Sequence, residues 1–406
     1  MALFALTLLL TLPQSVLAKR HYLRSYQVED GLSQNMVYCI AQDSQGFMWF
    51  GTQDGLNRFD GKNFRVFKSD ADSSGTIGGD GCFALWEGSD GRLWVGTNNG
   101  VSIYNPSRES FDHFNMIDDG GYKVVGTARS IFADGRGNLW IVVAERGLFR
   151  IDAKGGKRFF AIDHNGESNL RDAVVDGAGN VWIATYGGGV LRFNPQSESV
   201  EQFLITPRGS EGNDVNALAL LDEHTLLVGT SLRGLLAFDI EAQHYEPYAP
   251  MESVADGLFV RKIVRSREGE LWIGTETGVY ICNPLGTTPI VHLAHANNDP
   301  YSLSDNAAHT IYEDIDGGMW IGTYFGGVNY IGAHSSDFEK YYPLSGQNSV
   351  SGKCISEFCS DDLGRVWIGT EDAGLNLFDP QTGKFRSGFV PAKNIHSLLY
   401  VDGRLW

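Results

Sequence analysis

The residue types best able to bind a charged ligand recur at one place in a repeated segment of this 406-residue chain. Eleven residues before each of eight recurring anchor residues, the first being Trp49, the chain has Tyr38, Phe83, Arg129, Arg171, Asn216, Arg261, His309 and Ser356. Guanidinium groups bind the oxygens of carboxylates, sulfates and phosphates through paired N–H donors. If these positions share one opening, they form a cationic ring in a chain of net charge -17.

Such a ring would attract an anionic ligand, such as a uronate, a sulfated sugar or a phosphate. Its candidate binding residues are Tyr38, Arg129, Arg171, Arg261 and His309. The alternative is that each arginine pairs with a nearby acid or packs its stem along a neighbouring segment.

Aromatic residues beside glycines form a second candidate site. They are Tyr186 in GTYGGG and Tyr324 and Phe325 in GTYFGG, while Glu371 and Asp372 hold the same place in GTEDAG. Aromatic loop residues can stack on the flat face of a sugar. The alternative is turn chemistry together with packing on an adjacent repeat.

Motifs for catalysis or metal binding do not occur in the sequence. The ten histidines are scattered, and neither H-E-x-x-H, G-x-S-x-G nor a P-loop occurs. The five cysteines are odd in number and lack C-x-x-C spacing, so we expect them to be mostly buried small apolar residues. We therefore predict no catalytic residue, no cofactor and no metal site.

One phrase, D-x-x-G-x-h-W-h-G-T followed by G-h-x-x-h, recurs along the chain (h is apolar). Its spacings are 45, 46, 42, 45, 45, 48, 47 and 39 residues. Eight of the nine tryptophans fall on the anchor position, and Leu227 replaces the tryptophan in one copy. The anchors are Trp49, Trp94, Trp140, Trp182, Leu227, Trp272, Trp320, Trp367 and Trp406.

Each repeat has room for four short strands. In the first repeat we predict strands over 37–43, 47–52, 55–60 and 64–68, with the Asp and Gly of D-x-x-G forming the first turn. The residue nine positions before each of the first eight anchors is apolar, as an innermost strand requires. Four strands per roughly 45 residues predict an all-β fold, a β-propeller of four-stranded blades.

Two details refine this prediction. The glycine of G-T lies inside a strand, where the missing side chain permits a neighbour to approach closely. The segment 22–28, YLRSYQV, resembles the last strand of a repeat although it precedes the first repeat. We expect it to complete the last blade of a ring and so remove an exposed edge.

Residues 1–18 are apolar and end in small residues, with Val16 and Ala18 suited to signal-peptidase cleavage. We expect a signal peptide and export to the periplasm, the alternative being an uncleaved anchor or a misplaced start codon. A net charge of -17 repels phosphate backbones, so we expect no nucleic-acid partner.

At these residues the chain resembles the two-component regulator propeller family, the periplasmic sensor regions of hybrid histidine kinases and related diguanylate cyclases. The resemblance lies in VEDGLSQNMVYCIAQDSQGFMWFGTQDGLNRFDG, SLSDNAAHTIYEDIDGGMWIGTYFGGVNYI, WIGTEDAGLNLFDP and NIHSLLYVDGRLW. It implies two consecutive seven-bladed propellers, a β-sandwich, a transmembrane helix and a cytoplasmic signalling module, in a dimeric full-length protein anchored in the inner membrane.

The resemblance predicts that this chain is an N-terminal fragment, with a first propeller over 19–333 and the start of a second over 334–406. The predicted function is ligand sensing without catalysis by this region, the ligand being a carbohydrate or another small, anionic molecule. The alternatives are a secreted propeller enzyme of lyase or lactonase type and a protein-interaction scaffold.

Overall fold

The computed structural model describes residues 21–162, 169–254, 257–333 and 339–406. The predicted signal peptide, 1–18, lies outside these residues. Two 3₁₀ turns, Val28–Asp30 and Ala249–Met251, are the helical elements of the described chain. No helix in the described ranges has the length and apolar character needed to cross a bilayer.

Twenty-eight strands form seven four-stranded antiparallel sheets, which we call blades one to seven. The first strand, β1 (Arg24–Tyr26), belongs to blade seven. Blades one to three comprise β2 (Val37–Gln42), β3 (Met48–Thr52), β4 (Gly55–Phe59) and β5 (Phe64–Phe67); β6 (Cys82–Glu87), β7 (Leu93–Thr97), β8 (Gly100–Asn105) and β9 (Ser110–Phe114); and β10 (Ala128–Ala133), β11 (Leu139–Val143), β12 (Gly147–Ile151) and β13 (Lys157–Ala161).

Blades four to six comprise β14 (Leu170–Val175), β15 (Val181–Thr185), β16 (Val190–Asn194) and β17 (Ser199–Phe203); β18 (Val215–Leu220), β19 (Thr225–Thr230), β20 (Leu235–Asp239) and β21 (His244–Pro247); and β22 (Val260–Arg265), β23 (Leu271–Thr275), β24 (Gly278–Cys282) and β25 (Val291–Leu293). Blade seven comprises β26 (Ala308–Glu313), β27 (Met319–Thr323), β28 (Val328–Ile331) and β1.

An eighth sheet follows the seven blades. It comprises β29 (Ile355–Ser360), β30 (Val366–Thr370), β31 (Gly374–Asp379) and β32 (Lys384–Ser387). The last repeat contributes a two-stranded hairpin, β33 (Tyr400–Val401) and β34 (Arg404–Leu405).

The inner strands of the seven blades contact one another in a closed circle. The order is β2, β6, β10, β14, β18, β22 and β26, which returns to β2. The predicted all-β propeller is therefore confirmed, and the strands of the first repeat end within one residue of their predicted limits.

The N-terminal strand closes the ring, as its sequence predicts. Strand β1 pairs antiparallel with β28, with Tyr26 opposite Val328. The Tyr26 ring is buried and stacks on Trp320 at a centroid distance of 6.0 Å. Because the first strand completes the last blade, the final sheet of the circle has no open outer edge at β28.

The repeated aspartate and tryptophan form one structural unit. The indole N–H of Trp140 donates to Asp134 Oδ2 at 2.9 Å, while Asp134 Oδ1 accepts the backbone N–H groups of Arg136 and Asn138. The same indole bond occurs in blades one, four and seven. The carboxylate thus holds the turn and satisfies an indole that is almost fully buried between blades.

The glycine of G-T permits the close approach of neighbouring blades. A Cβ atom on Gly96 would lie 2.6 Å from the carbonyl oxygen of Ala128, which begins the next inner strand. A Cβ on Gly51 would lie 2.7 Å from the Cys82 oxygen. Any larger residue at these two positions must therefore push the neighbouring strand outward.

At the predicted core position of the inner strand, the residue is buried or half-buried in all seven blades of the ring but exposed in the eighth sheet. Ile40 of blade one and Ile311 of blade seven are buried, whereas Phe358, at the equivalent place in β29, is 59% exposed. Three cysteines, Cys39, Cys82 and Cys282, are buried as predicted, while Cys354 is exposed and Cys359 partly so.

We predict that Asp134→Asn lowers the free energy of unfolding by about 1–3 kcal/mol, because asparagine has a single acceptor oxygen and cannot accept both the buried indole N–H and the turn N–H groups. Urea denaturation followed by circular dichroism measures this change. The control is Asp222→Asn, since Asp222 caps the corresponding turn of blade five, where Leu227 has no N–H to satisfy. An equal loss in both variants would contradict the indole bond as the cause.

A second prediction concerns ring closure. Tyr26→Ala should cost about 3–5 kcal/mol of stability, since it removes a buried ring that packs on Trp320 and Phe59. Tyr26→Phe keeps the ring and should melt close to the unmodified chain. If Tyr26→Ala melted at the unmodified temperature in a thermal scan, β1 would not be part of the closed ring.

Candidate functional site

The same irregularity occurs in the inner strand of every blade. Between the first and third residues of each inner strand the pairing register shifts by one, which is a β-bulge. The extra residue is the second one in each strand. We call these seven residues the mouth ring: Tyr38, Phe83, Arg129, Arg171, Asn216, Arg261 and His309. Bulges redirect side chains and are common beside binding sites.

The mouth ring lines a central cavity of about 600 Å³ that the seven inner strands enclose. All five predicted ring residues, Tyr38, Arg129, Arg171, Arg261 and His309, line this cavity. The structure therefore brings together, around one opening, residues that are far apart in the sequence. Cavities of this size suit a small ligand.

In blades four to seven the turn after the second strand supplies a partner for the mouth ring. In blade four the threonine hydroxyl of Thr185 donates to the Gly189 oxygen at 2.8 Å and holds this turn. The next residue, Tyr186, donates its backbone N–H to Asn169, just before the inner strand. This arrangement places the Tyr186 ring 5.1 Å from the Arg171 guanidinium carbon.

In blades five to seven the turn residue equivalent to Tyr186 makes a different contact with the mouth ring. Tyr324 lies edge-on to His309 at a centroid distance of 5.0 Å, and Ser231 accepts a hydrogen bond from Asn216 at 3.1 Å. Glu276 accepts a hydrogen bond from Arg261 Nε at 2.5 Å. The two candidate sites in the sequence thus meet at one site, because the turn residues form a second layer around the mouth ring.

The three predicted turn residues, Tyr186, Tyr324 and Phe325, lie outside the lining of the cavity. Phe325 is 72% exposed and contacts Tyr324 at a centroid distance of 4.5 Å. Its exposed ring extends the aromatic surface outward from the mouth.

The three arginines of the ring have different electrostatic surroundings. Arg261 forms an ion pair with Glu276, so the alternative expected from the sequence applies to it. Arg129 lies over the Phe83 ring at 4.7 Å, and Arg171 over Tyr186. Within the described ranges neither Arg129 nor Arg171 pairs with a carboxylate, and the buried Nε atom of each lacks a hydrogen-bond partner. Burial, together with the nearby charge of Arg171, lowers the pKa of Arg129.

His309 lies on the aromatic side of the mouth. Burial, and secondarily the charge of Arg261, lowers its pKa to about 4, although Asp305 opposes this shift. Its buried Nε2 has no hydrogen-bond partner among the described residues. The imidazole is therefore neutral at pH 7 and adds no charge to the ring.

Tyr38 completes the aromatic side. Its ring lies 4.8 Å from Phe83 and 6.3 Å from His309 (centroid distances), and its hydroxyl donates to Met36 Sδ at 2.7 Å. Burial and the neighbouring Tyr324 raise the pKa of Tyr38, so its phenol is neutral. The mouth thus has a cationic side at blades three and four and an aromatic side at blades seven, one and two.

One ion pair crosses the channel next to the mouth ring. Lys262 Nζ of blade six lies 3.6 Å from Asp172 Oδ2 of blade four. Sequence analysis missed both residues and Glu276. Glu276 could have been found, because it occupies the turn position at which Tyr186 and Tyr324 were noticed.

The opposite end of the channel contrasts with the mouth. There Glu87 of blade two accepts hydrogen bonds from the backbone N–H and hydroxyl of Ser44 in blade one. Gln42 accepts the backbone N–H of Ile315 at 2.7 Å, and Glu313 pairs with Arg267. Polar groups at that end join adjacent blades, whereas those at the mouth leave buried atoms unpaired. In the described chain, no group of three or more His, Cys, Asp or Glu residues is placed to hold a metal ion.

Comparison with known families confirms the resemblance found in the sequence. Residues 31–54 and 302–325 match the family model described as two component regulator propeller. The matches lie in the first and seventh repeats. A 54-residue segment is 44% identical to histidine kinase P4 of Formosa agariphila, covering 13% of this chain and 4% of the kinase.

Solved structures share the architecture. The extracellular domain of BT3049 from B. thetaiotaomicron, described as part of a hybrid two component system, matches 95% of this chain at 25% identity with a TM-score of 0.73. The extracellular domain of BT4673, described in the same way, matches 95% at 19% identity with a TM-score of 0.63, which shows the fold alone. This chain covers 52% and 51% of those two structures, about half their length.

The low pKa of His309 gives a testable prediction. Its imidazole should remain neutral from pH 8 down to about pH 5, as measured by ¹⁵N shifts of the ring nitrogens. Because a histidine in the unfolded chain titrates near pH 6.5, this residue should reduce stability as the pH falls from about 6.5 toward 4. A titration midpoint near 6.5 in the folded protein would contradict the desolvated environment.

Proposed function

We propose that this chain, whose repeats are those of the two-component regulator propeller family, is the exported ligand-sensing region of a membrane-anchored signalling receptor. Its ligand, a carbohydrate or another small molecule, binds at the mouth of the central channel. The observation that carries the proposal is the mouth ring, in which seven bulged residues surround one cavity and three of them, Arg129, Arg171 and His309, have buried polar atoms without a hydrogen-bond partner among the described residues. Buried polar groups normally have partners, so a ligand is the natural complement to them.

The comparisons support the location and the receptor role. The two extracellular domains that share the fold are described as parts of two component systems, and the short curated match is a histidine kinase. We infer that the region lies in the periplasm, that the whole protein is a dimer anchored in the inner membrane, and that binding alters a cytoplasmic kinase or cyclase module.

We also propose the domain division of the chain. Residues 19–333 form a first propeller, and 334–406 begin a second one. The support is the exposure of apolar residues in the eighth sheet, where Ile355 is 41% and Phe358 59% exposed, while Val37 at the corresponding place in blade one is fully buried. Further blades on both sides of this sheet would cover those residues, as neighbouring blades do in the ring.

Binding rather than catalysis is the role that the titratable groups of the mouth support. A general acid or base works best with a pKa near the working pH. The pKa of His309 is about 4 and that of Tyr38 is raised above 10. Each group is therefore locked in one protonation state at pH 7, which suits recognition.

We predict that a screen of neutral and acidic oligosaccharides against the purified chain, by thermal shift and then calorimetry, identifies a ligand. Tyr38→Ala should weaken its binding about 10-fold or more, since an aromatic contact is worth about 1 kcal/mol or more at a desolvated site. Tyr122→Ala removes an equally aromatic but 55% exposed residue outside the cavity and serves as the control.

The signalling step needs a separate measurement. The same ligand should change the autophosphorylation or cyclase rate of the whole receptor in membrane vesicles, and Tyr38→Ala should shift the required concentration by the same factor. A ligand that binds the channel without changing output would refute the sensor role. Binding that is insensitive to Tyr38→Ala would refute the site.

A further inference from the structure

We infer that the ligand carries an anionic group, a carboxylate, sulfate or phosphate ester, held between Arg129 and Arg171, with the rest of the molecule lying toward Tyr38. The inference rests on the proposed function, because it specifies the chemistry of the ligand that the channel mouth receives. On this inference the cationic side of the mouth binds the anionic group, and the aromatic side contacts the rest of the ligand.

The first argument is that these two arginines line the cavity without a carboxylate partner among the described residues. Several arginines in the described ranges have a carboxylate partner, even where they are exposed. Such pairs join Arg58 and Arg65 to Glu109, Arg158 to Glu198, Arg192 to Glu201 and Arg267 to Glu313. With 49 acidic residues and 32 basic ones, acids are in excess. Arg129 and Arg171 lack such a partner within the described part of the chain. Unlike the other arginines without one, they line the central cavity, so their positive charge is available there.

The second argument concerns the direction of the hydrogen-bond donors. Arg129 rests on Phe83 and Arg171 on Tyr186, at 4.7 and 5.1 Å from the ring centroids. An arginine above a ring uses the face of its guanidinium, so the N–H donors in the plane remain free for an anion. The aromatic residues thus hold both groups in place without satisfying them.

The third argument is the space between the two strands. Five blades have glycine at the G-T position, but blade three has Val142, whose buried side chain packs in the same cluster as Leu170 of blade four. The inner strands β10 and β14, which carry Arg129 and Arg171, approach each other less closely than the other neighbouring inner strands. The valine thus widens the ring where the two like charges lie, and an anion with several oxygens can bridge them.

Other cations of the mouth do not compete for this role. Arg261 is neutralised by Glu276, Lys262 is paired with Asp172, and His309 is neutral at pH 7. The charge available to a ligand is therefore concentrated on blades three and four. A molecule with one anionic group and one flat or apolar face matches this asymmetry.

The first test uses inorganic sulfate as the probe and needs no knowledge of the natural ligand. Sulfate should raise the melting temperature of the unmodified chain in a saturable manner, compared with chloride at equal ionic strength. The double variant Arg129→Gln/Arg171→Gln should lose the saturable part, and the control Arg158→Gln should keep it. Equal sulfate responses in the unmodified chain and the double variant would overturn the inference.

The second test compares matched sugars by calorimetry, with glucuronate, glucose 6-sulfate and glucose 6-phosphate set against glucose. At least one acidic sugar should bind 10-fold or more tightly than glucose, and Arg129→Gln or Arg171→Gln should each reduce that preference about 10-fold. This arm also distinguishes carboxylate, sulfate and phosphate as the source of the charge. Binding of no acidic sugar, or equal binding of glucose, would overturn the inference.

The two proposals can fail separately. If a neutral oligosaccharide binds, loses affinity in Tyr38→Ala and is indifferent to both arginine variants, the channel is a sensor site and the anion inference is wrong. If an acidic sugar depends on both arginines but the whole receptor shows no change in output, the anion site stands and the sensor role is wrong.

Discussion

The close approach of neighbouring inner strands around one axis is the constraint on which the rest of this structure depends. Neighbouring inner strands approach most closely where the side chain between them is small. At Gly51 and Gly96 the next backbone oxygen lies only 2.6 to 2.7 Å from a hypothetical Cβ. The large tryptophans are therefore displaced outward, where they fill the wedge between blades. Their indole N–H groups then require an internal acceptor, which the turn aspartate provides in blades one, three, four and seven.

That constraint also separates the two ends of the channel. At one end, long polar residues such as Glu87 and Glu313 bond to the preceding blade and join the ring together. At the other end, bulges release one residue per blade from the sheet and turn it to the cavity. The polar contacts at the first end therefore stabilise the ring. At the other end, Arg129 and Arg171 each keep a buried Nε atom that has no hydrogen-bond partner among the described residues.

The repeated features of the fold could be predicted from the sequence, whereas the contacts of individual residues at the mouth could not. Repetition of Trp, Gly and Asp predicts the blades, and the strand-like segment before the first repeat predicts the closure by β1, which pairs with β28. The bulge at Arg129 has no signature of its own, because a register shift depends on pairing between two strands. The different surroundings of Arg129 and Arg261 follow from the turn residue of the same blade, Ala144 or Glu276, which the sequence does show once the turn and the bulge are known to meet.

An anomalous difference map from a crystal of this chain soaked with selenate would test the central claim, that the bulged residues of the mouth form a binding site, most directly. Selenate has the charge and shape of sulfate, and selenium locates it without ambiguity. The account predicts a peak within hydrogen-bond distance of both the Arg129 and Arg171 guanidinium groups, and its loss in crystals of the double glutamine variant. Ordered arginines at the mouth with selenate only at other surface sites would contradict it.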